Sequence, residues 1–147
     1  MTLVHGSCVA IEGQAVLLRG ASGSGKSDLA LRLIDEGAML VADDQVEIES
    51  IGARAVARPP QALAGLIEAR GVGIARLDHL ASAPLALVVD LVANDAIERL
   101  PEPATAQICG IEVPLARLDP FAASATAKLR LALRVAVGGI GSIMRAR

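Results

Sequence analysis

At 147 residues the chain has the length of one domain, and a single unit over residues 1–147 is expected. Hydrophobic residues make up 53% and charged residues 20%, which excludes a disordered chain. Fourteen Lys plus Arg against 16 Asp plus Glu leave a formal net charge of −2, with no basic footprint for nucleic acid. One Phe and no Trp or Tyr mean a core of Ala, Leu, Val and Ile, without a platform for stacking nucleic-acid bases.

Cys8 and Cys109 have no CxxC spacing and read as small apolar residues of a reducing, cytoplasmic compartment. The N-terminus lacks the basic and apolar regions of a signal peptide, and charges interrupt the apolar runs, so no membrane span is expected.

In chain order, residues 3–11 and 15–19 read as two adjacent strands around a Glu12-Gly13-Gln14 turn. A glycine-rich segment follows, then a helix with Leu29, Leu31, Leu33 and Ile34 on one side and Gly37 as its stop. Residues 38–42 form an aliphatic strand ending on Asp43-Asp44, and residues 46–49 and 53–57 a hairpin. Further strands are expected at 66–70, broken by Gly71, at 85–92 and at 107–113, with a loop over 114–118. Asp119 as N-cap and Pro120 as first helical residue predict a helix from there to about Val137, before Gly138-Gly139. The pattern is α/β with mixed strand pairing.

Gly20-Ala21-Ser22-Gly23-Ser24-Gly25-Lys26-Ser27 matches G-x-x-x-x-G-K-[ST] in full, between a strand and a helix. Such a P-loop curls backbone N–H groups around phosphate oxygens, sends Lys26 to the β and γ phosphates, and places the Ser27 hydroxyl on Mg²⁺. No NKxD motif for a guanine base is present, and a motor or transport ATPase would be far larger. A compact phosphotransferase remains, a small-molecule kinase among the possibilities, with a nucleotide-sensing regulator as the non-enzymatic alternative.

The adjacent carboxylates Asp43 and Asp44 end a buried strand, where one can help hold Mg²⁺ and another accept a proton from an attacking hydroxyl. Asp90, after the aliphatics of 85–89, is a rival for the metal, though more apolar strand follows it. His5, on the first strand, is taken alone more simply a structural residue. In Glu68-Ala69-Arg70-Gly71-Val72-Gly73 charge and glycine alternate, so that Glu68 can reach a metal and Arg70 a phosphate.

VHG near the start, GASGSGKS, LVADDQVEI and IEARGVGI occur together in an order that resembles the bacterial HPr kinase/phosphorylase family, from Val4 to about Arg134. The resemblance implies a P-loop domain with a mixed β-sheet and flanking helices. It also implies a cytoplasmic protein-serine kinase that uses ATP and Mg²⁺ to phosphorylate an HPr-like phosphocarrier, and in many members reverses this by phosphorolysis. It puts catalytic roles on His5, Lys26, Asp44 as base, and Arg99, with Arg117 as the alternative arginine. Mg²⁺ falls on Ser27 and Glu68, with Asp43 beside them, and homo-oligomers, trimers or hexamers, are expected. The chain looks like the short, catalytic-domain-only form similar to those of alphaproteobacteria. The family's PVxPGRN loop, tied to the reverse reaction, is replaced here by residues 113–119, VPLARLD.

Overall fold

The computed structural model describes residues 1–138. Among these residues eleven strands and two α-helices follow one another: β1 (Thr2–His5), β2 (Ser7–Ile11), β3 (Gln14–Arg19), α1 (Lys26–Asp35), β4 (Met39–Ala42), β5 (Gln45–Ile51), β6 (Arg54–Arg58), β7 (Leu66–Ala69), β8 (Gly73–Arg76), β9 (Ala83–Leu91), β10 (Ala104–Ile108), β11 (Ile111–Leu118) and α2 (Ala125–Ala136). This is the mixed α/β fold expected.

Nine strands join in one sheet, in the order β1-β5-β6-β9-β3-β2-β4, with β11 beside β9 and β10 outside β11; β7 and β8 form a separate hairpin. The spine is β9. It starts antiparallel to β6 at Ala83 and Pro84, then runs parallel to β3 and to β11. Strand β2 is antiparallel to both β3 and β4, so β4 points the same way as β3. The C-terminal ends of β3, β9, β11 and β4 therefore gather at one edge, the place where open α/β sheets bind ligands.

Both faces of the sheet are covered, which is why its strands read as continuous aliphatics. On one face Val16, Leu18, Leu87 and Val89 meet Leu29 and Leu33 of α1 and Leu129 and Leu133 of α2. On the other, Ala15, Leu17 and Val88 pack against Val46, Ile48, Ala55 and Ala57 of the curled β5–β6 ribbon and Val113 of β11.

Five expectations are corrected. Residues 3–11 are two strands, not one. A Cβ on Gly6 would stand 2.6 Å from the Leu18 carbonyl oxygen, and at this glycine the chain turns from pairing with β5 to pairing with β3 and β4. His5 thus lies on a strand paired to β5, not beside the loop-bearing β3. The segment 107–113 and the supposed loop 114–118 are the hairpin β10–β11; Pro114 is tolerated because it has only β10 as partner, pairing with β9 beginning at Leu115.

The last helix starts at Ala125 because Asp119 is spent elsewhere, its Oδ1 accepting the Phe121 N–H at 2.9 Å in a local turn. On α1, Leu31 points outward while Leu29, Ala30 and Leu33 are buried. That helix closes as expected at Gly37 (φ 111°), with Gly37 N–H on Ile34 and Ala38 N–H on Leu33. The stop expected at Gly138-Gly139 falls after α2 ends at Ala136; Gly139 lies outside the described residues.

Candidate active site

The phosphate loop leaves β3 and turns directly into α1, whose first residue is Lys26. Gly23 and Gly25 adopt φ of 78° and 98°, a backbone open to glycine and strained for side chains. The Lys26 ammonium folds back onto the loop, donating to the carbonyls of Gly20 at 2.7 Å and Ala21 at 2.9 Å. A phosphate in the loop offers stronger, charged acceptors to the same group.

Asp43, just past β4, is the hub of the site and is only 6% exposed. Its Oδ1 accepts from Ser27 Oγ at 2.8 Å and from Ser7 Oγ at 2.7 Å, and its Oδ2 from the Glu68 backbone N–H at 3.2 Å. A buried carboxylate needs such partners. Among the described residues it forms no ion pair, so three donors and the positive end of α1 offset the charge. Four elements, β2, β4, α1 and β7, are tied together at this single side chain.

Asp44 goes the other way. Gln45 N–H closes a three-residue turn onto the Asp43 carbonyl at 2.8 Å, and Asp44 at its centre takes φ 70°. The turn throws the Asp44 carboxylate into solvent, where it stands 3.6 Å from His5 Nδ1, while Gly6 N–H holds the Asp44 carbonyl at 3.0 Å. The split at Gly6 thus delivers both His5 and Ser7 to the acidic pair.

Of the residues singled out from the sequence, His5, Lys26, Ser27, Asp43, Asp44 and the Glu68 backbone are brought together. Glu68 carries its own carboxylate exposed, without a partner among the described residues. Asp90, the rival carboxylate, is the penultimate residue of β9 and not a mid-strand residue; Arg19 grips it with two bonds of 2.8 and 3.2 Å. Arg99 lies exposed beyond β9, with no hydrogen bond or ion pair to the site among the described residues; Arg117 is exposed on β11, in register with Asp90. Arg70 is exposed in the β7–β8 turn.

Sequence reasoning missed Ser7, the one hydroxyl in the buried run Ser7-Cys8-Val9-Ala10. A lone polar residue in such a run is its only signal.

Mg²⁺ takes hard oxygen ligands, keeps several waters, and usually has one or two protein ligands besides phosphates. Ser27 Oγ and Asp43 Oδ1, 2.8 Å apart at the mouth of the loop, together with the exposed Glu68 carboxylate, fit that donor chemistry.

The model for the HPr Serine kinase C-terminal domain matches residues 1–130. Among curated relatives, HPr kinase/phosphorylase of Lactobacillus acidophilus is 38% identical over 123 residues, covering 76% of this chain and 38% of its own. That of Enterococcus faecalis is 38% identical over 129 residues, covering 80% of this chain and 42% of its own. The chain therefore spans less than half the length of these relatives. A solved structure, the Hpr(Ser) kinase/phosphatase from Coxiella burnetii, superposes with a TM-score of 0.78 at 25% identity, covering 95% of each chain.

Proposed function

The chain belongs to the HPr Serine kinase C-terminal domain family, and from that premise we propose that it is an ATP-dependent protein-serine kinase acting on an HPr-like phosphocarrier. The observation that carries the reading is the junction at the end of β4. One carboxylate is buried and bonded to the loop's Ser27, and its neighbour is exposed and free to meet a substrate.

In this reading the loop amides and Lys26 hold the triphosphate, Lys26 leaving the Gly20 and Ala21 carbonyls for phosphate oxygens. Ser27, with Glu68 and Asp43, holds Mg²⁺, which when bound neutralises charge on the β and γ phosphates. Asp44 takes the proton of the incoming serine hydroxyl as its oxygen bonds to the γ phosphorus; the bond to the ADP oxygen breaks, and ADP leaves. His5, 3.6 Å from Asp44, orients that carboxylate and interacts with its charge. Arg99 is assigned to the transferred phosphate on the strength of the motif order. The family resemblance supports a cytoplasmic homo-oligomer, a trimer or hexamer.

The test is transfer of γ-labelled phosphate from ATP to the host's HPr-like protein, beside a version whose candidate serines are Ala. Label on the first and not the second is expected, and Asp44→Asn should abolish it while ATP still binds. Inorganic phosphate added to the labelled carrier then reads the reverse direction. Absence of label on the intact carrier with a folded, ATP-binding enzyme would overturn the proposal.

A further inference from the structure

Phe121 is the one Phe in a chain without Trp or Tyr, and it stands 70% exposed beside the phosphate loop. Its position is fixed from both sides. Asp119 Oδ1 accepts the Phe121 N–H at 2.9 Å, and the Pro120 carbonyl accepts from the Arg32 guanidinium of α1. The ring lies against the loop: a Cβ on Gly25 would stand 3.1 Å from its Cζ and 3.3 Å from its Cε1.

Beside the ring runs a cleft of about 320 Å³ between Ser24 of the loop, residues 92–94 after β9, and residues 119–121 after β11. Small-molecule sites have mainly apolar walls with a few polar groups at volumes of about 300–1,000 Å³, and this half-open cleft lies at the low end of that range. The polar residues lining it are Ser24, Asn94 and Asp119. Ser24 Oγ itself is buried against Gly20, where a Cβ would stand 2.5 Å from it, and it has no hydrogen-bond partner among the described residues. Asp119 has one carboxylate oxygen engaged by Phe121, and its other makes no bond among the described residues.

We propose that this cleft takes the base of the nucleotide whose phosphates the loop holds, with the Phe121 ring as its stacking face. The inference rests on the reading of the loop as an ATP site and names the part of ATP that the loop does not touch. The cleft is continuous with the loop through Ser24 and Gly25. A ring offers any base a π-face, and the free Asp119 oxygen is an acceptor for the exocyclic amino group of adenine.

The test separates base from phosphate by comparing ATP with inorganic tripolyphosphate. Phe121→Ala should weaken ATP binding about tenfold, within the range of one aromatic–base stack, and leave tripolyphosphate affinity unchanged. Because the chain has no Trp or Tyr, Phe121→Trp introduces a single reporter; it should retain wild-type ATP affinity, with fluorescence that changes with ATP and not with tripolyphosphate. Equal weakening of both ligands by Phe121→Ala would assign the ring to the loop and overturn the proposal. So would unchanged ATP affinity, including the case where only phosphate transfer to the protein acceptor falls. A wild-type chain that binds neither ligand would instead overturn the ATP-site reading beneath it.

Discussion

Ser7→Ala isolates the buried bond that holds the acidic hub. Ser7 is fully buried and its hydroxyl donates to Asp43 Oδ1 at 2.7 Å. The substitution removes one oxygen atom, so it opens almost no cavity; what it removes is one of three donors to a buried carboxylate. A hydrogen bond to a charged group contributes about 1.5–3 kcal/mol, and in a chain of this size each kcal/mol moves Tm by roughly 2–4 °C. The expected fall is therefore about 3–12 °C, read by far-UV circular dichroism, since the chain has no Trp or Tyr for intrinsic fluorescence. The same change in an Asp43→Ala background should cost far less, because the Ser7 hydroxyl has already lost its acceptor, and the two substitutions should couple by about 1 kcal/mol or more. A Tm lowered by less than about 2 °C, or the same loss with and without Asp43, would refute the reasoning.

Asp44→Gly should raise Tm while abolishing phosphate transfer. Glycine relieves the strain of φ 70°, worth about 1 kcal/mol, and the exposed His5 contact it removes contributes little; a lowered Tm would contradict this. Glu12→Asn should stabilise the β2–β3 hairpin by about 0.5–1 kcal/mol by urea unfolding, because Glu12 (φ 52°) precedes Gly13 (φ 79°) in a two-residue turn that prefers Asn-Gly. Burial pushes the Cys8 thiol up from 9.0 to about 12, so at pH 8 a thiol reagent should label the half-buried Cys109 and spare Cys8. The unfolded thiol loses its proton near pH 9 and the folded one near 12, so stability unaffected below pH 9 should decline between 9 and 12, a decline that Cys8→Ala should reduce.

The parts of the fold that could be read from the sequence were those set by local chemistry. The loop between β3 and α1, the Gly37 helix stop and the strand ending on Asp43-Asp44 each carry their signal within a few adjacent residues. The misread parts depend on distant partners. Gly6 breaks residues 3–11 because the Leu18 carbonyl lies where its Cβ would be, and that neighbour belongs to another strand. Asp119-Pro120 has the residues of a helix start, yet the Asp119 side chain bonds to the Phe121 N–H and the helix begins at Ala125. Pro114 suggests a loop, yet the strand accommodates it where only one neighbour is present. The candidate site was similarly divided: the loop and acidic pair were visible, while Ser7 and Phe121 gain their meaning only from what packs against them.

The acidic pair shows why adjacency in sequence says little about role. Asp43 and Asp44 share a strand end, and a plain extended chain would send them to opposite faces of the sheet. Here the three-residue turn at φ 70° does more. It lets Asp43 stay under the loop, where donors from β2, α1 and β7 converge, and turns Asp44 out beside His5. The same turn starts β5, whose pairing with β1 brings His5 opposite Gln45. The strained residue thus sets the position of the exposed carboxylate and of the histidine facing it. A backbone relaxed by glycine at position 44 would keep the hub around Asp43 and lose the group proposed to take the proton, which is how strain comes to be retained at a functional position.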